Sequence, residues 1–212
     1  MQQQKRKQAG SKNSLSARVM RELAKSEELK LAGEHEKALE VVQNILMENP
    51  ACTEAAEEVA DNFLSLDNIE AAEKAARHAV SLNPKSYIGN FVLGFVASEK
   101  EQWPVAVRHF TISNAGQPNN PEILRCLGWA LFHKGDQPAG IATLQRALSL
   151  RSDDTAILCD LAACYLQTSM FGKSLRLLEK AMRIDPTDMR VQELFDVANR
   201  LQEAFTKEIK RA

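Results

Sequence analysis

The chain has 212 residues, of which 44% are hydrophobic and 26% are charged, a balance typical of a folded globular protein. No stretch approaches the roughly 20 consecutive apolar residues that a membrane-spanning helix needs, so we predict no membrane span. The formal net charge of −1 conceals an uneven distribution, because residues 1–18 carry +5 and residues 19–86 carry seven bases and fourteen acids, or −7.

The N-terminal segment, residues 1–14, is polar, glutamine-rich and basic, and we interpret it as a disordered tail. No apolar run follows its basic cluster Lys5–Lys7, which argues against a secretory signal, and we expect a cytoplasmic protein. Three adjacent bases are weak evidence for nucleic-acid binding, and the acidic segment that follows would repel phosphates. We therefore predict no nucleic-acid partner.

A proline-containing phrase recurs along the chain and is interpreted as a helix end. Pro50 and Pro84 are 34 residues apart, and Pro186 follows Pro84 by 102, or three times 34. The two intermediate positions, Pro118 and Ser152, lie in the stretches GQPNNP and LRSDD. The register therefore holds from Pro50 to Pro186 without insertion or deletion.

This period resembles that of the tetratricopeptide repeat, a helix–turn–helix unit, with repeats beginning at Val19, Thr53, Tyr87, Pro121 and Thr155. The family has small residues at repeat positions 8, 20 and 27, where two helices cross closely. Fourteen of these fifteen positions are small here, with Ile45 the exception. Position 4, usually Trp in the family, departs from the pattern with Glu22, Ala56, Asn90, Leu124 and Leu158.

The resemblance implies an all-α fold, a right-handed superhelical solenoid of helix-turn-helix repeats with a C-terminal capping helix. We expect a tail at residues 1–14, five repeats within residues 15–188, and the capping helix at residues 189–212. The second helix of each repeat, helix B, should begin near position 18, where Pro104 and Pro138 suit a first helical turn. Beyond Pro186, apolar residues recur at helical spacing.

The first helix of each repeat, helix A, has a second face formed by positions 2, 5, 9, 12 and 13, opposite its core face. In proteins that resemble this chain, that face lines a concave groove. Trp129 and Phe132 lie on it, so neither is expected to point into the core of its own repeat. The candidate partner-binding residues on this face are Glu54, Glu57, Asp61, Ile88, Phe91, Phe95, Arg125, Trp129, Phe132 and Leu166.

The resemblance further implies an adaptor or scaffold that binds a peptide segment of a partner protein. The peptide would carry apolar anchors, with basic residues near one end. Three alternatives stay open. The aromatic residues could pack between neighbouring repeats, the face could be filled by the basic tail or by a second copy in a homo-oligomer, or the protein could be a cytosolic chaperone for an aggregation-prone client, similar to the repeat-built chaperones of type III secretion.

The chain lacks enzyme motifs, with no phosphate-binding glycine loop, HExxH or G-x-S-x-G. Its four histidines fall in different repeats, and its four cysteines lack the CxxC spacing of zinc or redox sites. We therefore predict no enzymatic activity, no cofactor and no metal site. We expect the cysteines to be reduced, buried hydrophobic residues: Cys52, Cys126, Cys159 and Cys164.

Overall fold

The computed structural model describes the backbone of residues 2–209 and the side chains of residues 17–207. Within this part the chain is all-α, with eleven helices and no strand. The helices are α1 Gln2–Leu31, α2 His35–Glu48, α3 Thr53–Ser65, α4 Ile69–Leu82, α5 Tyr87–Glu99, α6 Trp103–Gly116, α7 Pro121–Lys134, α8 Gln137–Leu150, α9 Thr155–Gln167, α10 Phe171–Ile184 and α11 Met189–Ile209. The described backbone of residues 2–14 belongs to α1, while the side chains of these residues lie outside the described part, so the tail predicted for residues 1–14 stays a prediction.

The helix starts repeat every 34 residues. The B helices α2, α4, α6, α8 and α10 begin at His35, Ile69, Trp103, Gln137 and Phe171. These starts are all at repeat position 17, one residue before the expected position 18. The A helices α3, α5, α7 and α9 begin at the residues where the sequence register places the repeats. The 34-residue period is therefore a period of helical hairpins.

The helices fall into two compact units, divided after Glu99. In the first unit, α1 to α5, consecutive helices pack against one another, and α3 also contacts α1 and α5. In the second unit, α6 to α11, consecutive helices pack in the same way, and α9 also contacts α7 and α11. Within each unit, an A helix therefore lies against the A helix of the next repeat.

The small residues lie where the helices of a hairpin cross. All fifteen residues at positions 8, 20 and 27 are buried, Ile45 included. Two crossings have a serine whose hydroxyl donates across the hairpin. Ser26 Oγ lies 3.3 Å from the Ala38 carbonyl oxygen, and Ser174 Oγ lies 2.9 Å from that of Ala162. Serine is tolerated in this apolar setting because its hydroxyl finds an acceptor.

The crossing of α7 and α8 is built from two glycines. A Cβ atom on Gly140 would lie 2.7 Å from both the Gly128 carbonyl oxygen and the Phe132 backbone nitrogen. A Cβ atom on Gly128 would lie 2.8 Å from Leu144 Cγ and 3.0 Å from the Gly140 carbonyl oxygen. The two helix backbones are therefore in contact, and only residues without a Cβ fit on both sides.

Local sequence signals set the ends of α7. The Asn120 side chain accepts hydrogen bonds from the backbone N–H groups of Glu122 and Ile123, which caps the helix N-terminus. Pro121 occupies the first turn, where a missing N–H group costs nothing. Gly135 ends the helix with φ of 105°, in the left-handed region that favours glycine.

Helix α11 occupies the place of a sixth helix A. It begins at Met189, 34 residues after Thr155, and it packs against α10 and α9. Val191 and Ala198 are fully buried in this contact. Position 8 of the register is the exposed Asp196, in place of the small buried residue that faces a helix B elsewhere. A capping role for residues 189–212 stays a prediction, which the exposed Asp196 supports.

Candidate partner-binding faces

The acidic face of the first unit lies on α3 and comprises Glu54, Glu57 and Asp61. Lys30 of α1 neutralises one end of it, because Lys30 Nζ lies 3.0 Å from Asp61 Oδ2 and 3.1 Å from Glu58 Oε2. Burial alone would lower the pKa of Lys30, but the surrounding carboxylates raise it above its usual value. Asp61 is therefore already paired within the chain.

The other two carboxylates of the acidic face have no such cation among the described residues. Glu54 is exposed, and Glu57 is half-buried with its side chain hydrogen-bonded to that of Ser86. Burial raises the pKa of Glu57, and the nearby charge of Glu54 raises it further. Burial likewise raises the pKa of Tyr87, to which the charge of Glu57 contributes. Glu54 and Glu57 therefore lack an internal counter-charge among the described residues, and Glu57 lies beside the start of α5.

The apolar part of the same unit lies on α5. Ile88 and Phe91 are partly buried, and they pack against a core cluster that includes Ala72 and Val92. Phe95 is also only partly buried. Because α3 and α5 are in contact, the acidic face and these three apolar residues belong to neighbouring helices of one unit.

In the second unit, the predicted cation Arg125 is bound within the chain. Its Nη1 atom donates to Asp160 Oδ2 at 2.8 Å, and its Nη2 atom lies 3.7 Å from Glu122 Oε1. Burial acts to lower the pKa of Arg125, but the neighbouring acids raise it above its usual value. Arg190 Nη1 approaches the other oxygen of Asp160 at 4.0 Å. Arg125 therefore joins α7 to α9.

The prediction that Phe132 points away from the core of its own repeat is wrong. Phe132 is 3% exposed and belongs to a buried cluster with Leu144, Leu161 and Tyr165. Leu144 lies on α8, the helix B of the same repeat. The cause is the glycine at position 20, since Gly140 lets α8 approach α7 closely enough to cover Phe132.

Trp129 is half-buried and lies in a cluster of rings. The ring of His133 stacks on Trp103 with centroids 4.8 Å apart, and it lies 4.3 Å from the ring of Trp129 at a tilted angle. Buried His133 Nε2 has no hydrogen-bond partner among the described residues. Burial lowers the pKa of His133, although the charges of Glu101 and Asp160 oppose this shift. The folded protein therefore favours the neutral imidazole.

We expect the free energy of unfolding to decrease as the pH falls and His133 becomes protonated. Since the pKa of His133 is lowered on folding, the unfolded chain binds the proton more readily. The stabilisation is present above the pKa of unfolded histidine, about 6.5, and is lost as the pH falls through the folded pKa. Thermal unfolding between about pH 7.5 and about pH 5 should show that the wild type loses stability more steeply with falling pH than His133→Phe does. Parallel pH profiles for the two proteins would contradict this expectation.

The last predicted residue, Leu166, is partly buried and packs against the core cluster of α9 to α11. The structure thus separates the ten predicted residues into three groups. Some solvent exposure remains at Glu54, Glu57, Ile88, Phe91, Phe95, Trp129 and Leu166. Asp61 and Arg125 are ion-paired, and Phe132 is core.

Four residues that complete these faces are not among the ten predicted ones: Lys30, Asp160, Trp103 and His133. A usable signal exists for the first two. Asp160 follows Arg125 by 35 residues and Asp61 follows Lys30 by 31, so each pair joins nearly equivalent positions of neighbouring repeats. A search for opposite charges separated by about one period would have found both. Trp103 begins helix α6, and no spacing rule connects it with His133.

The four cysteines are free and buried. Burial raises the pKa of Cys126 and that of Cys164 to about 12, so both remain protonated thiols at neutral pH. Across the described residues, there is no group of three or more His, Cys, Asp and Glu side chains placed to hold a metal ion. The same part of the chain contains no helix long and apolar enough to cross a membrane.

Comparison with known proteins identifies the repeat. Residues 54–86 match the family model of the tetratricopeptide repeat. A thermophilic tetratricopeptide-repeat protein from Thermus thermophilus aligns over 85% of this chain and 98% of its own, with a TM-score of 0.64 and 21% identity. YrrB, described as a tetratricopeptide-repeat protein with an unusual peptide-binding site, aligns over 88% of this chain and 95% of its own, with a TM-score of 0.63 and 16% identity.

A larger assembly contains a similar set of helices. A chain of the APC/C hetero-tetramer Cut9–Hcn1 aligns over 82% of this chain but only 35% of its own, with a TM-score of 0.75 and 19% identity. No curated protein matches the sequence. The likenesses at these identities establish the fold. The family model thus matches one repeat, residues 54–86, and the solved structures show that the helical hairpins share the fold of tetratricopeptide-repeat proteins.

Proposed function

We propose that the chain is a protein-interaction adaptor, and that the A-helix face of each unit can hold a peptide segment of a partner. The observation that carries the proposal is the partial exposure of large aromatic side chains on these faces, Phe95 on α5 and Trp129 on α7. Aromatic side chains that are pre-ordered by neighbouring helices are typical anchors of peptide recognition. The tetratricopeptide-repeat fold supports the same function by analogy.

The charges define the partner's chemistry in the first unit. Glu54 and Glu57 lack a neutralising cation among the described residues and lie near α5, which carries Ile88, Phe91 and Phe95. A complementary peptide has an apolar anchor with a basic residue close to it. In the second unit Arg125 is held by Asp160, so it contributes little free positive charge there. Trp129 and Leu166 call for an apolar anchor. The proposal includes no catalytic step and no cofactor.

The test selects peptides from a displayed random library on the full chain and measures the affinity of the best binders. We expect Phe95→Ala or Trp129→Ala to weaken their binding by about tenfold or more, since aromatic anchors are often worth at least about 2 kcal/mol. Glu54→Lys combined with Glu57→Lys should weaken the basic peptides selectively. Each affinity is measured by calorimetry or fluorescence anisotropy.

The matched controls are Leu150→Ala and Ile184→Ala, which remove exposed apolar side chains from the ends of B helices α8 and α10. These variants should bind the selected peptides as the wild type does. If a folded Phe95→Ala, Trp129→Ala double variant bound every selected peptide with unchanged affinity, the adaptor proposal would fail. A natural partner that aggregates when expressed alone would instead point to the chaperone function.

A further inference from the structure

The B helices of the second unit carry a positive surface. Helices α6, α8 and α10 contain one acid, Glu179, and six bases: Arg108, Arg146, Lys173, Arg176, Lys180 and Arg183. Their difference, six minus one, is +5. Helix α2, a B helix of the first unit, contains three acids and one base, or −2. The second unit's B helices and α2 therefore differ in sign, although the whole chain is nearly neutral.

A pocket opens in the positive surface of the second unit, between α8, α9 and α10. Its volume is about 410 Å³, within the range of sites that receive a ligand or an anchoring side chain. The lining residues are Gln145, Leu148, Ser149, Leu161, Tyr165, Lys173, Arg176 and Leu177. Apolar side chains from all three helices thus meet two cations, and the described lining includes no carboxylate.

The two cations at this pocket are available to an anion. Lys173 Nζ lies 5.2 Å from the centroid of the Tyr165 ring, and neither Lys173 nor Arg176 has an acidic partner among the described residues. Both side chains are exposed. Because they are three residues apart on one helix, their side chains start about 5 to 6 Å from each other on the surface. The complementary ligand has two carboxylates at helical spacing and an apolar side chain close by.

The chain itself presents that arrangement on α2. Glu36, Glu40, Gln43 and Met47 follow one another at helical spacing along one face, and all four are exposed. Met47 is 74% exposed, an unusual position for an apolar side chain on a helix whose other face is buried. In the described part of the chain, no cation pairs with Glu36 or Glu40. Two adjacent acids and one uncovered methionine therefore match two adjacent cations and one apolar pocket.

We propose that α2 of one copy docks on the pocket between α8, α9 and α10 of a second copy. The carboxylates of Glu36 and Glu40 lie against Lys173 and Arg176, and Met47 enters the apolar part of the pocket. Methionine suits such a site because its flexible thioether adapts to an irregular cavity. This self-association uses the B helices, so it leaves the A-helix faces free for the proposed peptide partner.

The contact joins two different surfaces, and each copy carries both of them. Two such contacts between the same two copies close a dimer, whereas contacts made head to tail produce rings or open chains. We expect the weight-average mass to rise above that of one copy as the protein concentration increases. Ionic strength should control it, because the Debye length falls from about 30 Å at 0.01 M salt to about 3 Å at 1 M.

The test uses light scattering on the purified full chain and two charge-reversed variants. The pocket variant carries Lys173→Glu and Arg176→Glu, and the α2 variant carries Glu36→Lys and Glu40→Lys. Each variant alone has like charges on its two surfaces, so each should associate at least about tenfold more weakly than the wild type. An equimolar mixture should regain association, because each α2 then meets a pocket of opposite charge in the other variant.

The controls separate a specific contact from general charge effects. A variant with Arg108→Glu and Arg200→Glu makes the same change of charge at two exposed positions outside the pocket, and its association should stay close to that of the wild type. Met47→Ala should weaken association, whereas Met20→Ala, at another exposed methionine, should not. Circular dichroism checks that every variant is folded. A wild type that stays monomeric at low salt, or a mixture that does not regain association, would overturn the proposal, while the peptide-binding test of the A-helix faces would be unaffected.

Discussion

Replacing Gly140 by alanine is expected to destabilise the second unit by about 3 kcal/mol, the upper part of the range for overpacked sites. The added Cβ atom would lie 2.7 Å from the Gly128 carbonyl oxygen and 2.8 Å from Phe132 Cβ. Two of the three nearest atoms belong to the backbone of α7, so no side-chain rotation can relieve the overlap. Helix α8 would have to move away from α7, which would also uncover Phe132 and Leu144.

Gly172→Ala provides the matched control for the Gly140 variant. Gly172 is also in the first turn of a B helix, but the nearest atom to an added Cβ is Arg176 Nη1, 4.0 Å away. Alanine should be neutral there or stabilise by up to about 1 kcal/mol, because it forms helix more readily than glycine. Thermal unfolding followed by circular dichroism should separate the two variants by several degrees. Equal midpoints for Gly140→Ala and the wild type would show that the crossing tolerates a wider spacing.

Removing the carboxylate of Asp160 is expected to cost about 2 kcal/mol, because it leaves the guanidinium of Arg125 partly buried without its anion. The side chains of Arg125 and Asp160 are only 25% and 13% exposed, so water cannot fully replace the lost partner. The full cost of breaking a buried pair is larger, but some hydration of Arg125 reduces it here. The measurement is chemical unfolding of Asp160→Ala against the wild type.

Two further variants help to explain the stability measured for Asp160→Ala. Glu122→Gln removes the other acid near Arg125, but Glu122 is exposed and 3.7 Å away, so the change should stay within about 0.5 kcal/mol. Replacing the pair together, Arg125→Met with Asp160→Leu, should recover most of the lost stability, because no charge is then left unpaired. If Asp160→Ala were as stable as the wild type, Arg125 would be free to bind a partner's carboxylate, and its assignment to the core contact between α7 and α9 would be wrong.

Helical periodicity alone does not determine which side chains of the candidate faces are exposed. Trp129 and Phe132 are three residues apart on α7, and an ideal helical projection places both on the same outer face. In the structure Trp129 stays half-exposed while Phe132 is covered by α8. The difference arises from how closely α8 approaches α7. That distance depends on Gly128 of α7 and Gly140 of α8, which face each other where the two helices cross. A projection of one helix does not contain that distance.

Counting charges along the sequence likewise does not show which charged side chains are paired. Counting acids along residues 19–86 predicts a negative first unit, and Glu54 and Glu57 lack a cation among the described residues there. The count does not reveal that Lys30 neutralises Asp61 or that Asp160 neutralises Arg125, because each pair joins different repeats. Whether a charged side chain can bind a partner depends on its neighbours in space, and those lie about one repeat period away along the chain.

The sequence by itself determined the all-α class, the 34-residue register and the starts of the A helices α3, α5, α7 and α9. These features follow from local chemistry: proline at helix ends, small residues at crossings and apolar residues at helical spacing. Only the tertiary structure decided which side chains remain exposed, because exposure depends on the separation of helices that are distant in sequence. Contacts between such helices bury Phe132, pair Arg125 with Asp160 and stack Trp103 on His133.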